Sequence, residues 1–166
     1  ICLFYGIENP KLKCELHFSK HEKSKVKKLT ESIKGKFVTI EPHSKTNYTV
    51  NRAYPFKKWQ TVVDSLSKHV NVVQLGLESS PLLDNVIDFR GKTSFREAAL
   101  VIGESEMFLS AEGGLVHAAT AVDTKSLVII TGYQTEKMVA YPQNININIA
   151  NHGPCGLKIA CKDCEN

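Results

Sequence analysis

Along most of this 166-residue chain, short continuous apolar runs are separated by segments of helical length. Apolar runs without polar alternation predict strands that are buried on both faces, as in a parallel sheet between two layers of helices. The predicted strands cover residues 37–40, 70–75, 86–89, 106–110 and 126–131, with an edge strand at 144–149 and a short strand at 14–18. The pattern therefore predicts an α/β, Rossmann-like three-layer domain with a mostly parallel sheet.

The intervening segments carry apolar residues at helical spacing. Ser94 is a helix-capping residue type directly before one of them, and Pro55 suits the first position of another. The predicted helices cover residues 20–33, 55–66, 94–102 and 114–122. No interdomain linker or repeat interrupts this order, so we expect residues 1–166 to form a single domain. The chain begins at Ile1 without an initiator methionine, which favours a piece of a longer chain.

Composition narrows the class of protein. Hydrophobic residues make up 42% and charged residues 23%, which is typical of a soluble globular domain. The net charge of +4 comes largely from a lysine-rich run at residues 20–36, which we interpret as a solvated helix face and not as a nucleic-acid or membrane surface. No apolar run approaches the roughly 20 residues that a membrane span requires. We therefore expect no nucleic-acid partner and no transmembrane segment.

Five cysteines with no regular framework argue against a disulfide scaffold and indicate a reducing compartment, which predicts a cytoplasmic protein. Cys155, Cys161 and Cys164 lie in a tail at residues 152–166, and the last two have the Cys-x-x-Cys spacing of a metal site. The set lacks one ligand. His152 would complete it for zinc or iron, and a cysteine absent from this sequence would do so equally well.

A strand, a tight turn and a helix follow one another around residues 107–122. Gly113 and Gly114 stand where the helix is expected to begin, and His117 lies one turn further on. Free backbone N–H groups and the helix dipole make such a terminus favourable for an anion, and glycines let a ligand approach the backbone. The alternative is an ordinary turn followed by a histidine with no ligand.

Four predicted strands end in polar or glycine-marked loops, after residues 40, 75, 110 and 131. In an open parallel sheet the carboxyl ends of the strands share one edge, and ligands bind there. The loop after residue 40 mixes hydroxyls and cations, which suit phosphate oxygens, and Glu78 is placed to hold a ribose diol. The alternative is that the loop is merely solvated and that Glu78 is an exposed glutamate without a ligand. The dinucleotide-binding, P-loop and nucleophile-elbow motifs are all absent from the sequence. Our hypothesis is therefore that the domain binds a nucleotide without any of these motifs.

Several motifs, in their order and spacing, resemble those of glycosyltransferase family 9. Arg-Ala-Tyr-Pro at 52–55, with Trp59 after it, matches the family's Lys-x-Trp-Pro and its following Trp, with Arg for Lys and Tyr for Trp. Gly-Lys-Thr-Ser at 91–94 matches the family sequence before a helix. Glu-Gly-Gly-Leu-Val-His at 112–117 matches Asp-Ser-Gly-x-x-His, with Glu for Asp and Gly for Ser. Gly132 matches the glycine that closes the next strand.

The resemblance covers about residues 37–142 and implies the C-terminal lobe of a heptosyltransferase-like enzyme with the two-lobed GT-B fold. In this family the C-terminal lobe binds the nucleotide-sugar donor, for instance ADP-heptose, and the N-terminal lobe supplies the acceptor site and the catalytic base. The implied acceptor is a lipopolysaccharide-type or other glycan, a lipid-linked sugar or a protein. The implied location is the cytoplasm or the inner face of the bacterial inner membrane.

The resemblance also implies a role for each matched residue. Arg52 would stabilise the leaving nucleotide, the Gly113–Gly114 helix start and His117 would share that task, Glu78 would hold the ribose and Glu112 would face sugar hydroxyls. No required cofactor and no catalytic base are expected in this chain, so we expect the isolated lobe to be inactive. The implied donor-binding residues are Ser44, Lys45, Thr46, Arg52, Glu78, Glu112, Gly113, Gly114 and His117.

Two other classes remain open from the sequence. A nucleotide-sugar 2-epimerase-like enzyme has a similar helix start, although the Tyr54-Pro55 and Trp59 match favours the transferase. A non-catalytic nucleotide-binding domain is favoured by the two departures from the family motif, Glu112 and Gly113.

Overall fold

The computed structural model describes residues 3–6, 8, 13–43 and 52–149. Among them, six strands form one sheet in which every neighbouring pair runs parallel, in the order β3-β2-β1-β4-β5-β6. The strands are β1 (Phe37–Glu41), β2 (Asn71–Gln74), β3 (Ile87–Asp88), β4 (Phe108–Ala111), β5 (Ser126–Ile130) and β6 (Ile145–Asn148). The helices are α1 (Lys20–Thr30), α2 (Phe56–Leu66), α3 (Phe95–Gly103), α4 (Gly114–Ala121) and α5 (Glu136–Val139).

Helices cover both faces of the sheet, which confirms the predicted Rossmann-like fold class. On one face, apolar residues of α1, α3 and α4 pack with Phe37, Phe108 and Val128. On the other face, α2 packs through Trp59 and Val63 against Val38 and Ile40. The residues of the four central strands, β2, β1, β4 and β5, are nearly all buried and contribute to both clusters, which explains why β1, β4 and β5 appear in the sequence as mostly apolar runs.

Capping boxes fix the start of two helices. Ser94 Oγ accepts a hydrogen bond from the Glu97 backbone N–H, while the Glu97 carboxylate accepts one from the Ser94 N–H at 2.8 Å, so Ser94 caps α3 as predicted. Ser19 and Glu22 form the same arrangement at α1. The Glu22 carboxylate also accepts from Arg96 Nε at 2.6 Å, which joins the start of α1 to α3.

Three local predictions differ from the structure. The short strand expected at 14–18 is wrong, because this segment is irregular; its Leu16 and Phe18 side chains pack on the core without joining a ladder. Pro55 is the N-cap of α2 and not its first helical residue. The four-residue helix α5 was not expected, since one helical turn is too short to show a periodicity.

The order of the strands creates a topological switch point between β1 and β4. After β1 the chain crosses to α2 on one face, and after β4 it enters α4 on the opposite face. The connections therefore diverge and leave a crevice beyond the carboxyl ends of these two strands, the position where open α/β sheets bind ligands. Within the described residues, no helix has the length and apolar character that crossing a bilayer requires.

Candidate functional site

The Arg52 side chain crosses the switch point. Arg52 lies between β1 and α2, and Glu112 occupies the turn between β4 and α4. Arg52 Nη2 donates to the Glu112 backbone carbonyl at 3.0 Å, and Arg52 Nε lies 3.6 Å from Glu112 Oε1. Thr131, which follows β5, donates its hydroxyl to the same Oε1 at 3.4 Å. Loops that follow three of the four strands considered above, β1, β4 and β5, therefore meet at one carboxylate, and the turn after β2 does not take part in this contact.

Glu112 is buried, and its environment is not that of a surface acid. No part of the Glu112 side chain is exposed, whereas the Arg52 side chain is 22% exposed. Burial raises the pKa of Glu112, while the Arg52 charge and the Thr131 hydrogen bond lower it. Oε2 has no hydrogen-bond partner among the described residues. In this arrangement the Glu112 carboxylate holds the Arg52 guanidinium at the switch point of the sheet.

The helix start lies beside this pair. Gly113 is the N-cap of α4, and Gly114 is its first residue, as predicted. Gly113 has an extended backbone that any residue adopts, and a Cβ at Gly114 would be 3.5 Å from the nearest atom, the Phe95 ring, which is an ordinary contact. Neither backbone conformation nor packing requires glycine at position 114. Close approach of a ligand to the N–H groups of α4 would explain a glycine at this position.

His117 lies in the first turn of α4, half-buried. Its Nδ1 is 2.7 Å from the Tyr141 hydroxyl, and the two rings meet edge to face. Burial and then the positive charge of Arg52 lower the pKa of His117. The imidazole is therefore neutral at pH 7, and it belongs to the same electrostatic environment as Arg52.

Glu78 lies in the turn after β2, on the opposite side of β1 from Glu112, and its side chain is exposed. The turn is held closely, because Gly91 donates its N–H to the Gly76 carbonyl at 2.9 Å and packs against Glu78. Gly91 has a φ of +66°, and a Cβ there would lie 2.7 Å from that of Glu78. The structure places Glu78 beyond the carboxyl end of β2, and it shows no contact between Glu78 and Arg52 or Glu112.

Other predicted residues lie outside the described part of the chain. This holds for Ser44, Lys45 and Thr46 in the loop after β1, and for Cys155, Cys161 and Cys164 in the tail. Among the described residues, no group of three or more His, Cys, Asp or Glu side chains is arranged to hold a metal ion.

Glu41 is a largely buried acid at the carboxyl end of β1 that the sequence interpretation did not single out. It is the last residue of β1, in register with Ser110 of β4, whose hydroxyl donates to the Glu41 carbonyl at 3.2 Å. Burial raises the pKa of Glu41 to about 7. The sequence signal was an acid at the end of an apolar strand, directly before Pro42. Tyr141, 24 positions after His117, had no signal in the sequence.

A separate groove of about 440 Å³ lies at the edge of the domain. Its lining comes from α1 and from Lys92, which follows β3, and Lys25 in this lining is already paired with Glu97 at 2.7 Å. The groove shares no residue with the switch-point cluster, so we do not assign it to the nucleotide. The lining residues are His21, Ser24, Lys25, Lys28, Leu29 and Lys92.

An open parallel sheet with a cationic side chain and a helix start at its switch point is the architecture of nucleotide-binding α/β domains. The sequence model of "Glycosyltransferase family 9 (heptosyltransferase)" matches residues 2–164. The chain therefore belongs to glycosyltransferase family 9. No curated protein sequence matches the chain significantly.

Solved structures share the fold at low sequence identity. The glycosyl transferase family 9 protein from Veillonella parvula aligns with a TM-score of 0.71 and 10% identity over 89% of this chain and 46% of its own. The ADP-heptose lps heptosyltransferase II of E. coli aligns with a TM-score of 0.64 and 16% identity, over 85% of this chain and 46% of its own. A third structure is that of TibC, an iron-containing heptosyltransferase of enterotoxigenic E. coli, solved in complex with ADP-D-β-D-heptose. It aligns with a TM-score of 0.62 and 17% identity, over 72% of this chain and 33% of its own. The chain thus spans less than half the length of these three proteins.

Proposed function

We propose that this chain is the donor-binding lobe of a family 9 glycosyltransferase and that it binds a nucleoside diphosphate sugar of the ADP-heptose type. The observation that supports this most directly is the contact of Arg52 with Glu112 beside the start of α4. It gathers a fixed cation and free backbone N–H groups at the switch point of the sheet. In this proposal residues 1–166 form one lobe, in line with the share of the structural relatives that the chain covers.

In the proposal, several hydrogen-bond donors and positive charges together bind the negatively charged diphosphate. The N–H groups of the first turn of α4 point out of the helix start, and the Arg52 guanidinium and one ring nitrogen of His117 add donors next to it. Ser44, Lys45 and Thr46 are proposed to supply further hydroxyl and ammonium contacts from the loop after β1. Glu78 is proposed to accept hydrogen bonds from the ribose.

In the proposed reaction an acceptor oxygen forms a bond to the anomeric carbon of the sugar, and the bond from that carbon to the diphosphate breaks. The electron pair of that bond leaves with the nucleotide, so negative charge grows on the diphosphate. Arg52 and the α4 N–H groups are placed to stabilise this charge in the transition state. The base that takes the acceptor proton is expected in a second lobe, so we expect the chain alone to bind donor and transfer nothing.

The sugar and the acceptor are less closely defined. The Glu112 carboxylate is buried against Arg52, so its main role in the proposal is to orient the guanidinium, and its expected contact with sugar hydroxyls requires the loop to open. One structural relative is named for lipopolysaccharide and ADP-heptose. A lipopolysaccharide-type acceptor is proposed here on the family resemblance, with other glycans or proteins as alternatives.

Isothermal titration with ADP, UDP and GDP tests the nucleotide proposal. We expect ADP to bind, and we expect His117→Ala to weaken it by about 0.5–1.5 kcal/mol, the usual net value of one hydrogen bond. The melting temperature should change little, because the half-buried ring is not part of the core. Absence of heat with all three nucleotides at millimolar concentration would overturn the proposal.

A non-catalytic nucleotide-binding domain is the second candidate, and the burial of Glu112 favours it. A transferase lobe should bind a nucleotide sugar more tightly than the nucleotide alone, because it holds both parts. Equal affinity for ADP and ADP-heptose would favour the non-catalytic domain. Epimerisation of UDP-N-acetylglucosamine without an acceptor would instead indicate a 2-epimerase-like enzyme.

A metal at the cysteine tail is a separate proposal. Cys155, Cys161 and Cys164 would supply three thiolate ligands, and TibC is described as iron-containing. Elemental analysis of the purified protein should detect zinc or iron, and Cys161→Ser should lower the metal content. Equal metal content in the two proteins would exclude this cluster.

A further inference from the structure

The Tyr141 hydroxyl makes a close contact with the imidazole of His117. Tyr141 lies between α5 and β6, far in sequence from α4, yet its hydroxyl is 2.7 Å from His117 Nδ1. The ring centroids are 5.5 Å apart with an interplanar angle of 76°, so the rings meet at an edge. No described residue forms a hydrogen bond with the other ring nitrogen, Nε2.

The backbone around Tyr141 holds the hydroxyl in place. The Tyr141 carbonyl accepts hydrogen bonds from the Asn144 N–H at 3.0 Å and from Asn146 Nδ2 at 3.1 Å. The hydroxyl also lies 3.9 Å from Cys14 Sγ, on the segment before α1. The ring therefore sits between a hydrogen-bonded turn on one side and the N-terminal segment on the other, and it is oriented before any ligand arrives.

The direction of the contact follows from the chemistry of the two groups. Burial and Arg52 lower the pKa of His117, so the ring is neutral and carries one proton. Burial raises the pKa of Tyr141, so its hydroxyl keeps its proton. A neutral imidazole nitrogen is a better acceptor than a phenol oxygen, and a phenol O–H is the better donor. Tyr141 therefore donates to Nδ1, and the imidazole proton resides on Nε2.

We propose that Tyr141 is a positioning residue, which fixes the ring and the tautomer of His117 so that Nε2–H faces the diphosphate. The inference rests on the proposed function. A proton on Nδ1 would instead turn a lone pair of Nε2 toward the phosphate oxygens, and this would repel them. The Tyr141 hydroxyl thus selects the tautomer in which His117 acts as a donor beside the N–H groups of α4 and the guanidinium of Arg52.

Nitrogen-15 NMR of the histidine side chains tests the proton positions directly. In the protein without nucleotide, we expect His117 to show a protonated Nε2 and an unprotonated Nδ1 that is shifted by a hydrogen bond. Tyr141→Phe should abolish that shift. Cys14→Ala should leave it unchanged. A proton on Nδ1 in the unsubstituted protein would overturn the proposal, and so would a spectrum that Tyr141→Phe does not alter.

A double-mutant cycle measured with ADP tests the consequence for binding. Tyr141→Phe should weaken ADP binding by about two- to tenfold, the range expected for one neutral hydrogen bond. In the His117→Ala background, the same substitution should have no further effect, because Tyr141 acts through His117. An equal loss in both backgrounds, or no loss in either, would overturn the proposal.

The two hypotheses fail in different ways. If the unsubstituted protein does not bind ADP, the proposed function is refuted, and the NMR experiment still decides whether Tyr141 sets the tautomer. Thermal unfolding of each variant checks folding. If Tyr141→Phe lowers the melting temperature, the test relies on the two proteins that keep the Tyr141 hydroxyl. The tautomer of His117 in the unsubstituted protein and in Cys14→Ala then decides the question.

Discussion

Arg52 Nη2 donates to the backbone carbonyl of Glu112 at 3.0 Å, and Arg52 Nε lies 3.6 Å from the carboxylate of the same residue. One side chain thereby joins two connections that leave the sheet toward opposite faces. The pairing also explains how a buried carboxylate is tolerated, because an unpaired buried charge would be far more costly. The Arg52–Glu112 pair is therefore both a structural clamp and the centre of the proposed binding site.

Replacing Arg52 separates these two roles. Arg52→Ala should weaken ADP binding by about 1.5–3 kcal/mol, the scale of a charge-assisted hydrogen bond. It should also destabilise the fold, because Glu112 loses its counter-charge. The double variant Arg52→Ala, Glu112→Gln should regain stability and not affinity. Titration calorimetry and chemical denaturation measure the two effects, and recovery of ADP binding in the double variant would contradict a direct contact between Arg52 and the diphosphate.

Glu41 predicts a pH dependence of stability. Burial raises its pKa to about 7 in the folded protein, from an ordinary value of 4.5 that applies when the chain is unfolded. Between these values the folded state holds a proton that the unfolded state lacks, so the free energy of unfolding falls as the pH rises from 4.5 to 7. The loss from this group is on the order of 3 kcal/mol above pH 7. Glu41→Gln removes the titrating proton and should be the more stable protein at pH 8.

Denaturant unfolding at pH 5 and pH 8 measures this effect as a difference between the unsubstituted protein and Glu41→Gln, which cancels the contribution of the histidines. Glu104→Gln, at an exposed position after α3, is the matched control and should keep the pH dependence of the unsubstituted protein. Identical pH profiles for Glu41→Gln and the unsubstituted protein would show that Glu41 does not change its protonation state on folding.

The fold could be predicted from the sequence because each central strand buries both faces and each long helix has one apolar stripe. The start of α4 and the cap at Ser94 were also predicted, since both depend on residue types that are close in sequence. The strand at 14–18 was wrong because Leu16 and Phe18 contact the core from an irregular segment. Alternating burial of two residues does not distinguish such a segment from a strand.

The site could be predicted only in part, and the reason is its dependence on tertiary contacts. Arg52 and Glu112 were both candidates, yet no residue pattern indicated that the two side chains pair with each other. Glu41 titrates near neutrality because of burial, which an acid at the end of a strand does not reveal. Tyr141 reaches His117 only because α5 and the turn after it fold back toward α4. The roles of the predicted donor-binding residues in ligand binding stay predictions.

Glu78 should distinguish ribose from deoxyribose. A carboxylate that accepts both ribose hydroxyls contributes about 1.5–3 kcal/mol, the usual range for hydrogen bonds to a charged group. Glu78→Gln should therefore weaken the binding of ADP more than the binding of 2′-deoxy-ADP, which keeps only the 3′-hydroxyl contact. Calorimetry with both nucleotides measures this, with Glu104→Gln as the control. An equal loss for both nucleotides would mean that Glu78 does not contact the 2′-hydroxyl.

Gly114 and Gly91 give the sharpest contrast between a glycine proposed to lie next to a ligand and one that the fold requires. Among the described residues, a Cβ at Gly114 would meet only the Phe95 ring, at 3.5 Å, and alanine is the better helix former. Gly114→Ala should thus preserve stability while it weakens ADP binding, because the methyl group lies where the diphosphate would approach. At Gly91 the φ of +66° and a Cβ distance of 2.7 Å to Glu78 both oppose a side chain. Gly91→Ala should destabilise the protein by at least about 1 kcal/mol.

The two variants are compared by thermal unfolding and by ADP titration under the same conditions. A stable Gly114→Ala protein that binds ADP as tightly as the unsubstituted protein would show that the diphosphate does not approach the start of α4, since a methyl group there would not be tolerated by a bound phosphate. A loss of stability in Gly114→Ala would instead mean that packing against Phe95 demands glycine. We expect Gly91→Ala to lose stability, because both the backbone and the neighbouring Glu78 exclude a Cβ at that position. We expect Gly114→Ala to remain stable and to lose ADP affinity.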